Sequence, residues 1–254
     1  MDEMVTAGAS GEVADLCATG PRGVEVDLAH ARLRLLPERA VWWHAERTLL
    51  IADAHLGKPA SFRAGGAPVP EDATRADLAR LGALVDAFGA RRVVVLGDLA
   101  HDRAAWDRAT MESVSSWRAR HASVEVVLVR GNHDRRASDP PAELAIACVD
   151  PGWVLGGIAM HHEPWEAGEA DAPRADEARP VLAGHLHPGV RLRDARGRAL
   201  RAPCFWERSR QMVLPAFGSF TGLWMIAPRA GDRVHAVGPG VVVELGGASA
   251  RVRS

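Results

Sequence analysis

Three short apolar runs separated by helical patterns constrain this chain more than any other feature. Thr48-Leu49-Leu50-Ile51-Ala52, Arg92-Val93-Val94-Val95-Leu96 and Val124-Glu125-Val126-Val127-Leu128-Val129 are rich in β-branched residues, the pattern of strands buried on both faces of a parallel sheet. Between the first two, Leu78, Leu81, Leu84, Val85 and Phe88 recur at helical spacing within residues 71–89, and Gly89 stands as the C-terminal stop. A second amphipathic helix is predicted over about 104–121, before the third run. Strand, helix and strand in that order imply right-handed βαβ crossovers, hence an α/β fold.

Val24–Leu28 alternates with period 2, and Ala40–Trp43 leads to Thr48 at hairpin distance, so the sheet is expected to begin with a meander. After residue 150 the chain turns strand-rich. Val154–Met160, Val181–Ala183, Val190–Arg193, Met212–Pro215, Leu223–Ile226 and Val241–Leu245 are predicted strands separated by Gly/Pro turns. Residues 1–23, small and acidic, read as a flexible tail, and 24–254 as a single domain with an acidic solvated loop at 166–180.

Charge narrows the function classes. Lys+Arg 31 against Asp+Glu 32 excludes nucleic-acid binding by bulk positive field and requires a local basic patch for any such contact. Cys17, Cys148 and Cys204 have no metal-type spacing and read as reduced thiols. The N-terminal stretch lacks a basic and an apolar signal region, and no apolar run approaches the roughly 18 to 20 residues of a membrane span. These features predict a cytoplasmic protein without membrane contact.

The chemistry is concentrated at predicted strand ends. Asp53-Ala54-His55 follows the first apolar run, Gly97-Asp98 with His101 the second, and Gly131-Asn132-His133-Asp134 the third; His161-His162-Glu163-Pro164 and Gly184-His185-Leu186-His187 follow two later strands. Ligands of open α/β sheets gather outside the carboxyl ends of the strands, so these five loops are expected on one rim. Each element alone reads as an ordinary turn or loop histidine. Their joint occurrence, with Asn132 the only asparagine of the chain, points to metal. Imidazole, carboxylate and amide without thiolate suit Mn, Fe or Zn better than Ca.

In order and spacing, these motifs resemble the calcineurin-like metallophosphoesterase superfamily. The resemblance implies an α/β/β/α four-layer sandwich with a dinuclear metal centre that hydrolyses phosphate esters by a metal-activated hydroxide. Further stretches are similar to the bacterial DNA-ligase-associated metallophosphoesterases: Ala52 to Lys58, Ser61-Phe62-Arg63, Gly65 to Pro70, His162-Glu163-Pro164, Gly184 to Pro188, Arg201 to Phe205 and Leu214 to Gly222. Leu223 departs from that family, in which a second glycine is expected. This narrower likeness implies two divalent ions, Mn²⁺ foremost, a single-stranded or flapped DNA substrate, and functional association with a DNA ligase and a helicase in repair.

By the motif match, one ion takes Asp53, His55 and His187, and the other takes Asn132, His185 and the strand-end histidine. That histidine is His161 or His162, with the His-x-Pro continuation favouring His162; an alternating strand turns the two rings to opposite sides. Asp98 bridges the ions, since two cations roughly 3.5–4 Å apart need negative charge between them. His133 is expected to donate a proton or bind a phosphate oxygen, with Asp134 orienting its ring, while His101 stands behind the ligands. Lys58 and Arg63 are the expected phosphate-holding residues. Arg191, Arg193, Arg196, Arg198 and Arg201 crowd one hairpin and offer either a nucleic-acid track or a solvated edge. Phe205, Trp206, Phe217 and Phe220 read as core ahead of base-stacking. The competing functions are a small-molecule nucleotide phosphodiesterase or phosphomonoesterase and a metal-free scaffold; the scaffold predicts lost ligands, whereas every ligand position here is filled.

Overall fold

The computed structural model describes residues 23–58, 72–165, 179–193 and 198–246. The proposed tail apart from Gly23, with Cys17 in it, and Arg63, Arg196 and nearly all of the 166–180 loop lie outside the described residues.

The first sheet is built as the apolar runs require. Its seven strands lie in chain order, β1 (Val24–Leu28), β2 (Ala31–Leu36), β3 (Ala40–Trp43), β4 (Thr48–Ile51), β5 (Arg92–Leu96), β6 (Glu125–Val129) and β7 (Ile146–Val149). The first four form an antiparallel meander, and β4 to β7 run parallel. Helix α1 (Asp72–Phe88) connects β4 to β5, and α2 (Arg108–Arg120) connects β5 to β6. The helix expected over 104–121 is split: a 3₁₀ turn at Arg103–Trp106 precedes α2, because Asp102 caps the turn and Asp107 caps the helix by accepting from Thr110 N at 2.8 Å. A short helix, α3 (Asn132–Ala137), follows β6.

The second sheet has nine strands. Its main path is β14 (Trp224–Met225), β11 (Pro188–Arg193), β12 (Ala199–Arg208), β13 (Gln211–Val213), β10 (Val181–Ala183), β9 (Ile158–Met160) and β8 (Trp153–Leu155). β15 (Arg233–Gly238) pairs with β12, and β16 (Val241–Leu245) with β15. The single strand expected over Val154–Met160 is instead the hairpin β8–β9, turned by Gly156 and Gly157, which adopt φ of 51° and 83°.

Alternation along the strands makes two apolar layers. Leu49, Ile51, Val93, Val95, Val126 and Leu128 pack under Leu78, Leu81, Val85, Val114 and Trp117 of the helices. Leu50, Val94, Leu96, Val127 and Val129 point the other way, against Ile158, Met160, Leu182, Phe205, Met212 and Leu214 of the second sheet. Helices, sheet and sheet thus stack as three layers of the expected sandwich. The outer face of the second sheet carries its own cluster of Val190, Cys204, Trp206, Val213, Ile226, Val234 and Ala236, and among the described residues no helix covers it. Cys148 and Cys204 are free thiols. No described helix is long and apolar enough to cross a membrane.

Candidate metal centre

The parallel strands β4, β5 and β6 and the parallel pair β9–β10 end on one side of the molecule, and backbone hydrogen bonds stitch their following loops together. Asp53 N donates to Gly97 O (3.1 Å), His55 N to Asp98 O (2.9 Å), Gly184 N to His162 O (2.9 Å) and Gly218 N to Asp53 O (3.2 Å). The loops pass so close that two glycines are required sterically. A β-carbon at Gly97, itself at φ 79°, would fall within the His162 ring, and one at Gly184 would meet Ala52 Cβ and Asp53 Oδ2 at 2.6 Å.

Backbone strain is concentrated at the same place. Asp53 (φ 51°), His55 (45°), Asp98 (50°), His185 (70°) and His187 (48°) all occupy the left-handed region. A non-glycine residue there costs of order 1–3 kcal/mol and persists only where its surroundings over-determine it.

These side chains gather into two groups whose donor atoms lie within 4.8 Å of one another: Asp53, His55 and His187, and Asp98, His162 and His185. In the first, His55 Nε2 is 3.4 Å from His187 Nε2, which is 3.5 Å from Asp53 Oδ1. In the second, His162 Nε2 is 2.9 Å from Asn132 Oδ1, 3.0 Å from His185 Nδ1 and 3.4 Å from Asp98 Oδ2. The same Asp98 oxygen lies 4.0 Å from His55 Nε2 and so stands between the groups.

Ordinary hydrogen bonding does not account for this convergence. His162 Nδ1 lies 3.0 Å from the Leu96 carbonyl, which can only accept, so in the neutral ring the proton sits there and Nε2 turns its lone pair on the cluster. Asp53 Oδ1 is buried without a hydrogen-bond partner. Lone pairs facing one another and an orphaned carboxylate oxygen are what a pair of divalent cations satisfies, and the N/O donor set fits a borderline or hard metal. The residues present therefore fit a binuclear metal site.

The electrostatics follow burial and charge. Burial pushes His55 down to about 3, aided by Lys58 and the neighbouring histidines and opposed by Asp98, so its ring is neutral. Burial also lowers His185. His162 goes the other way: burial alone would lower it, but Asp98 and Asp53 outweigh that and raise it to about 9 without metal. Burial alone would raise Asp98, yet the His162 proton, the His133 N–H and His55 hold it below the usual carboxylate range.

The strand-end alternatives separate cleanly. His162 is buried in the cluster, while His161 packs its ring on Trp165 at 5.1 Å. His133 donates its backbone N–H to Asp98 Oδ1 (2.9 Å), sets Nδ1 2.7 Å from the His101 carbonyl and stacks on the His101 ring at 4.9 Å. Asp134 corrects an expectation, since it does not orient the His133 ring. Its carboxylate accepts from the backbone N–H groups of Asp98 (2.7 Å), Leu99 (3.0 Å), Ala100 (3.4 Å) and Gly131 (2.9 Å), locking the β5 and β6 loops together.

Lys58 is half-buried, and its burial lowers its pKa, with Asp98 opposing. Phe205, Trp206 and Phe217 are core, whereas Phe220 is exposed. The structure adds two residues the sequence did not single out. Asp77 of α1 accepts from Ser219 N (2.9 Å) and Oγ (3.1 Å), and Arg80 donates to the Phe217 carbonyl, holding the loop whose Gly218 backs Asp53. Both sit on the polar flank of an ordinary amphipathic helix, so no sequence signal marked them.

Two groups of Asp and His side chains placed side by side can hold a pair of cations, the arrangement that two-metal hydrolysis of phosphate esters uses. Comparison with known proteins places the chain among the hydrolases of phosphate esters. Residues 46–168 match the family model described as calcineurin-like phosphoesterase. Among solved structures, the nuclease MPE of Pseudomonas putida is 41% identical, with a TM-score of 0.74, over 88% of this chain and 100% of that one. YfcE, a phosphoesterase from E. coli, is 14% identical over 78% of this chain and 97% of that one, at a TM-score of 0.37, a likeness too slight to carry an argument. No curated protein matches the chain. The chain belongs to the calcineurin-like phosphoesterase family and is a hydrolase acting on phosphoester bonds.

Proposed function

We propose that this protein is a Mn²⁺-dependent phosphodiesterase that cuts single-stranded or flapped DNA, acting in the cytoplasm in DNA repair alongside a ligase and a helicase. The observation that carries the hydrolytic core is the position of Asp98, one carboxylate oxygen between two groups of metal-competent side chains. Support for DNA as substrate is the 41% identity to a protein described as a nuclease.

Asp53, His55 and His187 would hold one cation, and Asn132, His162 and His185 the other, with Asp98 shared. Bound there, the cations supply Lewis acidity toward a phosphoryl oxygen and make a water nucleophilic near neutral pH. The chain's own groups do the rest. Leu96 fixes the His162 ring through Nδ1, which keeps Nε2 aimed inward. His133, fixed through Nδ1 to the His101 carbonyl, presents Nε2; a doubly protonated ring gives that proton to the leaving oxygen and ends neutral, still bonded to His101. Lys58 and Arg63 would hold non-bridging oxygens of the substrate phosphate.

Turnover of bis-p-nitrophenyl phosphate, p-nitrophenyl phosphate and labelled single-stranded DNA with Mn²⁺ tests the reading. Cleavage of the diester and of DNA is expected. Turnover of the monoester alone would remove the nuclease assignment and leave a phosphomonoesterase.

A further inference from the structure

The β11–β12 hairpin springs directly from the metal rim. His187 ends the last ligand loop, Pro188 opens β11, and the edge strand β14 is tied to the rim through Trp224 N, which donates to the His187 carbonyl at 3.0 Å. In this hairpin Arg191 lies directly opposite Arg201. Both are exposed, and neither has an ion-pair partner among the described residues. Like charges directly opposite one another on adjacent strands destabilise a sheet, so folding gives no reason for this pair.

Alternation fixes the side on which the pair stands. Val190 and Cys204 belong to the outer cluster of the second sheet, whereas Phe205 enters the core between the sheets. Arg191 and Arg201 share the Phe205 face, the side of the first sheet and its ligand loops. Arg191 lies four residue steps of extended chain beyond His187, about 13 Å. Two guanidinium groups with no ion-pair partner among the described residues thus stand side by side, a short step from where the scissile phosphate would lie.

We propose that Arg191 and Arg201 form a phosphate-backbone clamp that holds a single-stranded nucleic acid several nucleotides away from the bond being cut. The assignment rests on the nuclease reading above. It also supplies what a net charge of -1 demands of a nucleic-acid enzyme, a local basic track in place of a bulk field. Guanidinium groups suit the task because each can grip phosphate oxygens with paired N–H donors.

The test compares wild type with Arg191→Ala/Arg201→Ala on a dinucleotide and a decanucleotide. In wild type the KM should fall as the strand becomes long enough to reach the hairpin. In the variant this length advantage should disappear, with KM for the decanucleotide rising about 10-fold at nearly constant kcat, and the salt dependence of oligonucleotide binding should lose about 1.4 from its log–log slope. Thermal stability should stay level or rise, which a merely structural role for the pair would not allow. An unchanged KM, or an equal rise for both lengths, overturns the clamp while leaving the nuclease standing. If wild type cuts no DNA, anisotropy with the labelled decanucleotide separates the two claims: arginine-dependent binding keeps the clamp and removes the nuclease, and no binding removes both. Binding of a poly-glutamate peptide in place of the oligonucleotide would overturn the clamp and make the hairpin a protein-docking site.

Discussion

Nδ1 of His185 lies 3.0 Å from Nε2 of His162. Both nitrogens face the same point, together with Asn132 Oδ1 and an Asp98 oxygen. A single proton on His162 cannot bond three acceptors at once. His162→Ala should therefore lose one metal and at least about 100-fold in activity, whereas His161→Ala, whose ring only packs on Trp165, should keep both. Metal analysis and diester turnover of the two variants check this.

Asp98→Asn keeps the shape but removes the charge between the two groups. Its activity should drop at least about 100-fold, with metal content falling below two per chain. Full activity would refute the bridging role.

Without metal, stability should depend on pH with a definite sign. The folded-state pKa of His162 is raised from its ordinary value of 6.5 to about 9. The stability gained from its proton is fully present below about 6.5 and lost as pH climbs through about 9. The Tm of metal-free protein should fall across that window. Metal binding requires the neutral ring, so Mn²⁺ uptake at pH 7 should release a proton and tighten as pH rises, both measurable by calorimetry in buffers of different ionisation enthalpy.

Asp134 is a buried carboxylate engaged by four backbone N–H groups. Asp134→Ala leaves these donors without an acceptor and should cost about 3 kcal/mol or more, while Asp134→Asn, which keeps one oxygen, should cost less. Denaturant unfolding of both variants gives the comparison.

How far the sequence revealed this molecule depends on the kind of signal. Strands β4, β5 and β6 were legible because a continuous β-branched run has one stable place, inside a covered parallel sheet. Strand β12 was not recognised as one element: its ten residues mix the exposed Leu200 and Arg201 with Cys204, Phe205 and Trp206, since one half edges the hairpin and the other enters the core. The ligand loops could be read from residue type alone. The role of Asp134 could not, because three of the four amides it caps lie 34 to 36 residues back in the chain and meet it only once β5 and β6 pair. Asp77 and Arg80 escaped for the same reason, as their partners arrive from residues 217–219.

Anomalous diffraction from Mn²⁺-loaded crystals tests the central claim most directly. Two peaks about 3.5–4 Å apart are predicted, one within reach of Asp53, His55 and His187 and the other within reach of Asn132, His162 and His185, with Asp98 touching both. A single peak, or ions bound away from these side chains, would contradict it.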